Sequence, residues 1–178
     1  MTEATGSAVC VFGSADPRVG DEDYEAARSV GRELARLGYV VVNGGYGGVM
    51  EASSRGAQEA GGRTVGVTCS VWSRDPNPYL DEVIATGGIP ERVGALLRTG
   101  TGGYVVMRGG TGTLVELSNA WELMAKGVMA RRPIVCYGEF WRPLVDMMAS
   151  VRETHRGVVG LVRTAEELGR HFPPAPNV

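Results

Sequence analysis

The chain has 178 residues, the scale of one ordinary domain around a single core, so two full domains are not expected. Hydrophobic residues make up 43% and charged ones 21%, which excludes disordered, coiled-coil and collagen-like classes. A formal net charge of −2 gives no global positive field for a polyphosphate backbone, and no stretch reaches the apolar length of a membrane span, so neither a nucleic-acid nor a membrane partner is expected and a cytoplasmic protein is.

Glycine is the outlier, with 27 copies that cluster in pairs and triplets where backbone must come close to something. In chain order, β-rich apolar runs are predicted at 8–13, 39–43, 63–69, 82–86, 104–108 and 133–137. Most are continuous, as YVVV and YVVM are, which a parallel sheet covered by helices on both faces demands. Between the first two runs, Tyr24, Ala27, Val30, Leu34 and Leu37 recur at helical spacing, with Asp21 as N-cap and Gly38 as stop. A second helix over 48–60 presents small residues (Ala52, Ser53, Gly56, Ala57) that let it lie close to the sheet. Further helices are predicted at 90–97, 113–126, 140–151 and 165–172. The pattern is α/β: one doubly wound, Rossmann-like parallel sheet spanning 1–178, with its core at 8–150 and a helical extension over 151–178.

Cys10, Cys69 and Cys136 are odd in number, far apart and each inside an apolar run, so they read as small buried hydrophobes rather than as disulfide or metal partners. No metal and no cofactor are expected. The single lysine, Lys126, ends a helix as a C-terminal cation, which leaves a pyridoxal-phosphate enzyme without a lysine in the cleft. His155 and His171 read as surface histidines near the C-terminus.

In such sheets ligands bind outside the carboxyl ends of the strands, where strand order reverses. Here the first strand ends in Gly13-Ser14-Ala15. The second ends in Asn43-Gly44-Gly45-Tyr46-Gly47-Gly48, and the fifth in Arg108-Gly109-Gly110-Thr111-Gly112-Thr113. The last two run straight into helices, whose free N–H groups and positive dipole ends suit a phosphate. No Walker lysine follows any glycine, and the first turn, GSADP, fails the G-x-G-x-x-G pattern, which disfavours triphosphate hydrolysis of the Walker type and an NAD enzyme.

Gly109-Gly110-Thr111-Gly112-Thr113-Leu114-Val115-Glu116 resembles the P-G-G-x-G-T-x-x-E signature of the LOG ("Lonely Guy") family of cytokinin-activating nucleoside 5′-monophosphate phosphoribohydrolases, many of them labelled lysine decarboxylases. The resemblance covers 8–150 and includes Val11-Phe12-Gly13-Ser14, Gly44-Gly45-Tyr46-Gly47-Gly48-Val49-Met50 and Pro90-Glu91-Arg92. It implies a hydrolase that cleaves the N-glycosidic bond of an AMP-like purine nucleotide to free base and ribose 5-phosphate without a cofactor, and a homodimer. It also implies that Glu116 is the catalytic glutamate and Arg92 its partner. Phosphate or nucleotide contacts then fall to Gly13, Ser14, Gly44, Gly45, Gly47, Arg108, Gly109, Gly110, Thr111, Gly112 and Thr113. The departures are Arg108 for the signature proline, Val93 for a basic residue and Glu51 for a glycine. They lean toward a related branch of molybdenum-cofactor carriers, which bind a phosphorylated ligand without turnover; a DNA-processing role ranks third because no basic stripe is visible.

Local readings compete at each position. Thr113-x-x-Glu116 is also a capping box, and Arg92 also fits a solvated first helical turn. Trp72, Arg74 and Tyr79 either cover the base or form a plain surface loop. Asn43 either bonds a ribose or caps a turn, and Trp121 and Met124 favour core or dimer packing.

Overall fold

The structure is a computed structural model that describes residues 7–176. Seven parallel strands form one sheet in the order β4-β3-β2-β1-β5-β6-β7. They are β1 (Ala8–Phe12), β2 (Val40–Asn43), β3 (Thr64–Cys69), β4 (Glu82–Thr86), β5 (Gly103–Val106), β6 (Ile134–Tyr137) and β7 (Val159–Val162). The first strand sits at the centre, with Ala8 opposite Val40 on one side and Phe12 opposite Val106 on the other. After β4 the chain crosses back to place β5 on the far side of β1, so the switch point lies above β1 and β5.

Two helical layers cover the sheet. On one face, α1 (Glu22–Arg36) and α2 (Val49–Glu59) bury Tyr24, Ala27, Val30, Leu34, Ala52 and Ala57 against Val9, Val11, Val41 and Val105. On the other, α3 (Ile89–Thr99), α4 (Thr111–Ala125) and α5 (Arg142–Val151) pack Leu96, Leu117, Trp121 and Val145 against Cys10, Phe12, Val67 and Tyr104. This alternation of neighbours along each strand explains the continuous apolar runs: both faces of β1, β2 and β5 are covered.

The first helix follows its sequence signals. Asp21 is the N-cap, although its carboxylate accepts from the Arg18 N–H and not from the helix, and Gly38 follows the C-cap at φ +86°. The small residues of α2 do something further than expected. An added Cβ on Gly56 would stand 1.8 Å from the Arg28 carbonyl oxygen, and one on Gly31 2.0 Å from that of Ser53, so it is α1 and α2 that touch backbone to backbone.

The last segment corrects the helical extension expected over 151–178. It contains a 3-10 turn (Glu153–His155), the edge strand β7, and a 3-10 helix (Ala165–Arg170) in place of an α-helix at 165–172. Phe172 then inserts fully buried beside Tyr39, whose hydroxyl donates to the Pro173 carbonyl at 2.7 Å. The histidines are half-buried: His155 packs edge-on to Trp121 and His171 lies against Gly160. The three cysteines are buried and unbridged, and burial pushes the Cys136 thiol up to about 12. Among the described residues no helix is long and apolar enough to cross a membrane.

Candidate functional site

A cavity of about 300 Å3 opens above β1 and β5. Its wall includes Gly13, Ser14, Ala15 and Asp16 after β1, Gly44 and Tyr46 after β2, and Trp72 and Arg74 after β3. Met50 of α2, Arg92 of α3, and Gly110, Thr111, Gly112, Thr113 and Glu116 at the start of α4 complete it.

The start of α4 is the anion-suited end. Gly110 is the N-cap and the first helical bond runs from the Leu114 N–H to the Gly110 carbonyl, so the amides of Thr111, Gly112 and Thr113 precede the helical ladder. A Cβ on Gly110 or Gly112 would meet no protein atom within 4 Å. Thr113 and Glu116 are one turn apart and both buried, which places them on the same face of α4.

The start of α2 behaves differently. Its first amide, on Val49, donates to the Ser14 carbonyl at 2.9 Å. Gly48, at φ +67°, allows this contact, because a Cβ there would stand 2.4 Å from the same oxygen. Gly13 is needed for the reciprocal reason, with Val49 filling the space of its missing side chain. The second glycine loop therefore supports the first.

Four of the residues expected to contact a phosphate or nucleotide lie outside the cavity wall. Gly45, at φ +81°, takes a bond from its N–H to Asn43 Oδ1 and packs on Thr68, and Gly47 approaches only the Ala15 carbonyl. Gly109 faces the Thr113 hydroxyl. Arg108 turns to the α1 side, over the Phe140 ring and 4.0 Å from Asp23, where it lines a second cavity.

Arg92 and Glu116 form the centre. Arg92 is only 8% exposed; its Nε donates to the Val67 carbonyl at 2.8 Å and its Nη2 to that of Gly44 at 2.9 Å. Gly44 has to be glycine for this, since a Cβ would overlap Nη2 at 1.8 Å. The guanidinium also sits 5.8 Å from the Tyr46 ring and 5.4 Å from the Trp72 ring. Its Nη1 is 3.8 Å from Glu116 Oε1, close enough for charge attraction and too far for a hydrogen bond. Burial pushes the Glu116 carboxyl up to about 7, and the positive charge of Arg92 opposes this.

These positions resolve the competing local readings. The helix begins two residues before Thr113, so Glu116 falls in its second turn and caps nothing. Arg92 is buried rather than solvated. Asn43 is structural: its amide bonds the Met50 carbonyl, Ser53 and Ser54. Trp121 and Met124 belong to the core. Of the loop residues, Trp72 and Arg74 reach the cavity, whereas Tyr79 packs under Arg55. Sequence reasoning missed Asp16, which accepts from the Ser14 hydroxyl at 2.8 Å, and Tyr46, which is bonded through its hydroxyl to both backbone groups of Cys69. Among the described residues no three of His, Cys, Asp or Glu gather as a metal site.

Residues 7–168 match the family described as LDcluster4, SLOG cluster4. A cytokinin riboside 5′-monophosphate phosphoribohydrolase from Mycobacterium tuberculosis is 34% identical over 116 residues, 64% of this chain and 61% of that protein. The match thus spans less than two thirds of that relative's length. A solved structural-genomics target, TM1055, is 29% identical with a TM-score of 0.73, covering 92% of this chain and 96% of its own. The molybdenum cofactor binding protein of Rippkaea orientalis is 24% identical with a TM-score of 0.70, covering 92% and 91%, a likeness of fold.

Proposed function

The chain belongs to the SLOG cluster4 family, and we propose that it hydrolyses the N-glycosidic bond of a purine nucleoside 5′-monophosphate to free base and ribose 5-phosphate. One observation carries this reading: a buried carboxylate and a buried guanidinium 3.8 Å apart share a cavity with the amides at the start of α4. The name of the Mycobacterium tuberculosis relative supports the same reaction class.

In this reading the Thr111, Gly112 and Thr113 amides and the Thr113 hydroxyl hold the 5′-phosphate, so that binding energy remote from the reacting bond positions the sugar. One helical turn further on, Glu116 faces the anomeric carbon. As the C1′–N bond lengthens, its electron pair stays on the base and positive charge develops on the ribose, which an ionised Glu116 stabilises. A water adds to C1′ and gives up a proton to Glu116. With its carboxyl near neutrality, Glu116 exchanges that proton readily, and the proton ends on the departing base. Arg92, 3.8 Å away, favours the ionised form of Glu116 by charge attraction.

The test is to incubate the purified protein with AMP, N6-substituted AMP and GMP and to separate the products. Free base is expected, with Glu116→Ala lowering its release about 100-fold or more. Arg92→Ala is expected to lower it too, with melting curves to confirm folding.

A second reading, a carrier of a phosphorylated ligand without turnover, draws on one observation: two donors of Arg92 are already taken by main-chain carbonyls, as in a purely structural role. Tight nucleotide binding with no base released from any of these substrates would establish it in place of hydrolysis.

A further inference from the structure

The wall of the cavity contains two charged groups that the hydrolytic scheme does not use, Asp16 and Arg74, and Arg74 is the cationic one. Arg74, in the loop that follows β3, lines the cavity, yet among the described residues no carboxylate pairs with it. Its position is set by the backbone. Trp72 donates its N–H to the Cys69 carbonyl at 3.3 Å, and the Arg74 N–H donates to the Trp72 carbonyl at 2.9 Å, a tight turn of the backbone, and both residues line the cavity. Further along, Asn77 pins the loop to the second glycine loop through its N–H to the Gly45 carbonyl and its side-chain amide to that of Tyr46. Trp72 is 37% exposed, edge-on to Tyr46 and beside Arg92, so an indole forms part of the wall.

The contacts form a series across the cleft. Thr113 and Glu116 share α4, Glu116 faces Arg92, Arg92 faces Trp72, and Arg74 lines the same wall two residues after Trp72. From β5 to β3 the sheet order counts three strand spacings, roughly 14 Å, a span that a 5′-nucleotide and an arginine side chain cover together. With the phosphate at α4 and the sugar at Glu116, the base falls beside Trp72, and its outer edge meets Arg74.

An arginine offers donors only, in a planar fork. The outer edge of a 6-oxopurine presents two acceptors, O6 and N7, which that fork matches; a 6-aminopurine presents N7 beside a donor amino group, which it does not. We propose that Arg74 reads this edge and that the site prefers a 6-oxopurine 5′-monophosphate such as GMP over AMP. This rests on the nucleotide reading of the cavity given above.

The experiment measures dissociation constants by calorimetry and base release for GMP, IMP and AMP, using the full chain and its Arg74→Ala and Arg74→Lys variants. The expected result is tighter binding of GMP and IMP than of AMP by about tenfold or more, a preference that falls to within about twofold in Arg74→Ala and is weakened in Arg74→Lys, which keeps the charge without the fork. Equal or tighter binding of AMP by the wild type overturns the proposal. So does an equal loss for all three nucleotides in Arg74→Ala, which would place the arginine on the phosphate. A GMP preference carried by Arg74 with no base released supports edge recognition and rejects hydrolysis, whereas equal release from AMP and GMP rejects edge recognition and leaves hydrolysis standing. If no nucleotide binds, both fall.

Discussion

Glu116 pays for its position in the unbound protein. Its carboxyl titrates at about 7 when folded, against 4.5 for the free group, with burial as the cause and Arg92 as a partial offset. Between those values the folded protein holds a proton that the unfolded chain releases. The group's contribution to stability is therefore complete below 4.5 and is lost as pH rises through 7, a change of about 3 kcal/mol. Glu116→Gln, which removes the ionisation and keeps the shape, is expected to melt above the wild type near pH ~8, with the gap closing toward pH ~4.5; calorimetry across that range checks it. Under the proposed hydrolysis, base release needs the ionised form and is expected to have the opposite sign, rising as pH passes through about 7. Glu116 was marked as a candidate by the octet around it and lies in the cavity wall, but its burial was not legible, because the capping-box reading uses only local spacing. Arg92 was harder: the carbonyls that hold it belong to Val67 and Gly44, and only the sheet brings them together. Arg108 was misplaced for the same reason, since its neighbours Asp23 and Phe140 lie on other segments.

Glycines within the helices separate two kinds of constraint. Gly56 is fixed by its neighbour, since a Cβ would meet the Arg28 carbonyl oxygen at 1.8 Å. Gly56→Ala is expected to push α1 from α2 and cost about 1–3 kcal/mol, read as a lower melting temperature. Gly112 has no such neighbour, yet it lines the cavity. Gly112→Ala is expected to keep or slightly raise stability while weakening nucleotide binding about tenfold or more, because a methyl group then stands where the proposed phosphate approaches the backbone. Titration calorimetry and melting of the two variants side by side would distinguish these roles. From sequence, the strands that carry continuous apolar runs and the helix bounded by Asp21 and Gly38 were readable, since those signals are local. The edge strand β7 was not: Gly160 interrupts its apolar residues and half of it is only partly buried, so it lacks the continuous apolar run of a strand covered on both sides.

At the scale of the molecule, the last described segment fastens the fold together. Phe172 is fully buried against Tyr39 and under Gly103, and Ala175 donates its N–H to the Leu37 carbonyl at 2.8 Å. Phe172→Ala is expected to cost about 3–5 kcal/mol, with the stretch beyond β7 becoming the first site of limited proteolysis. The central place of β1 has a consequence for biosynthesis. One of its flanks arrives early with β2, but the other is supplied by β5 only after α3 has been made. While a ribosome is still extending the polypeptide, the innermost strand keeps an open edge until β5 emerges, and the crevice that holds Glu116 cannot close before α4 has followed it.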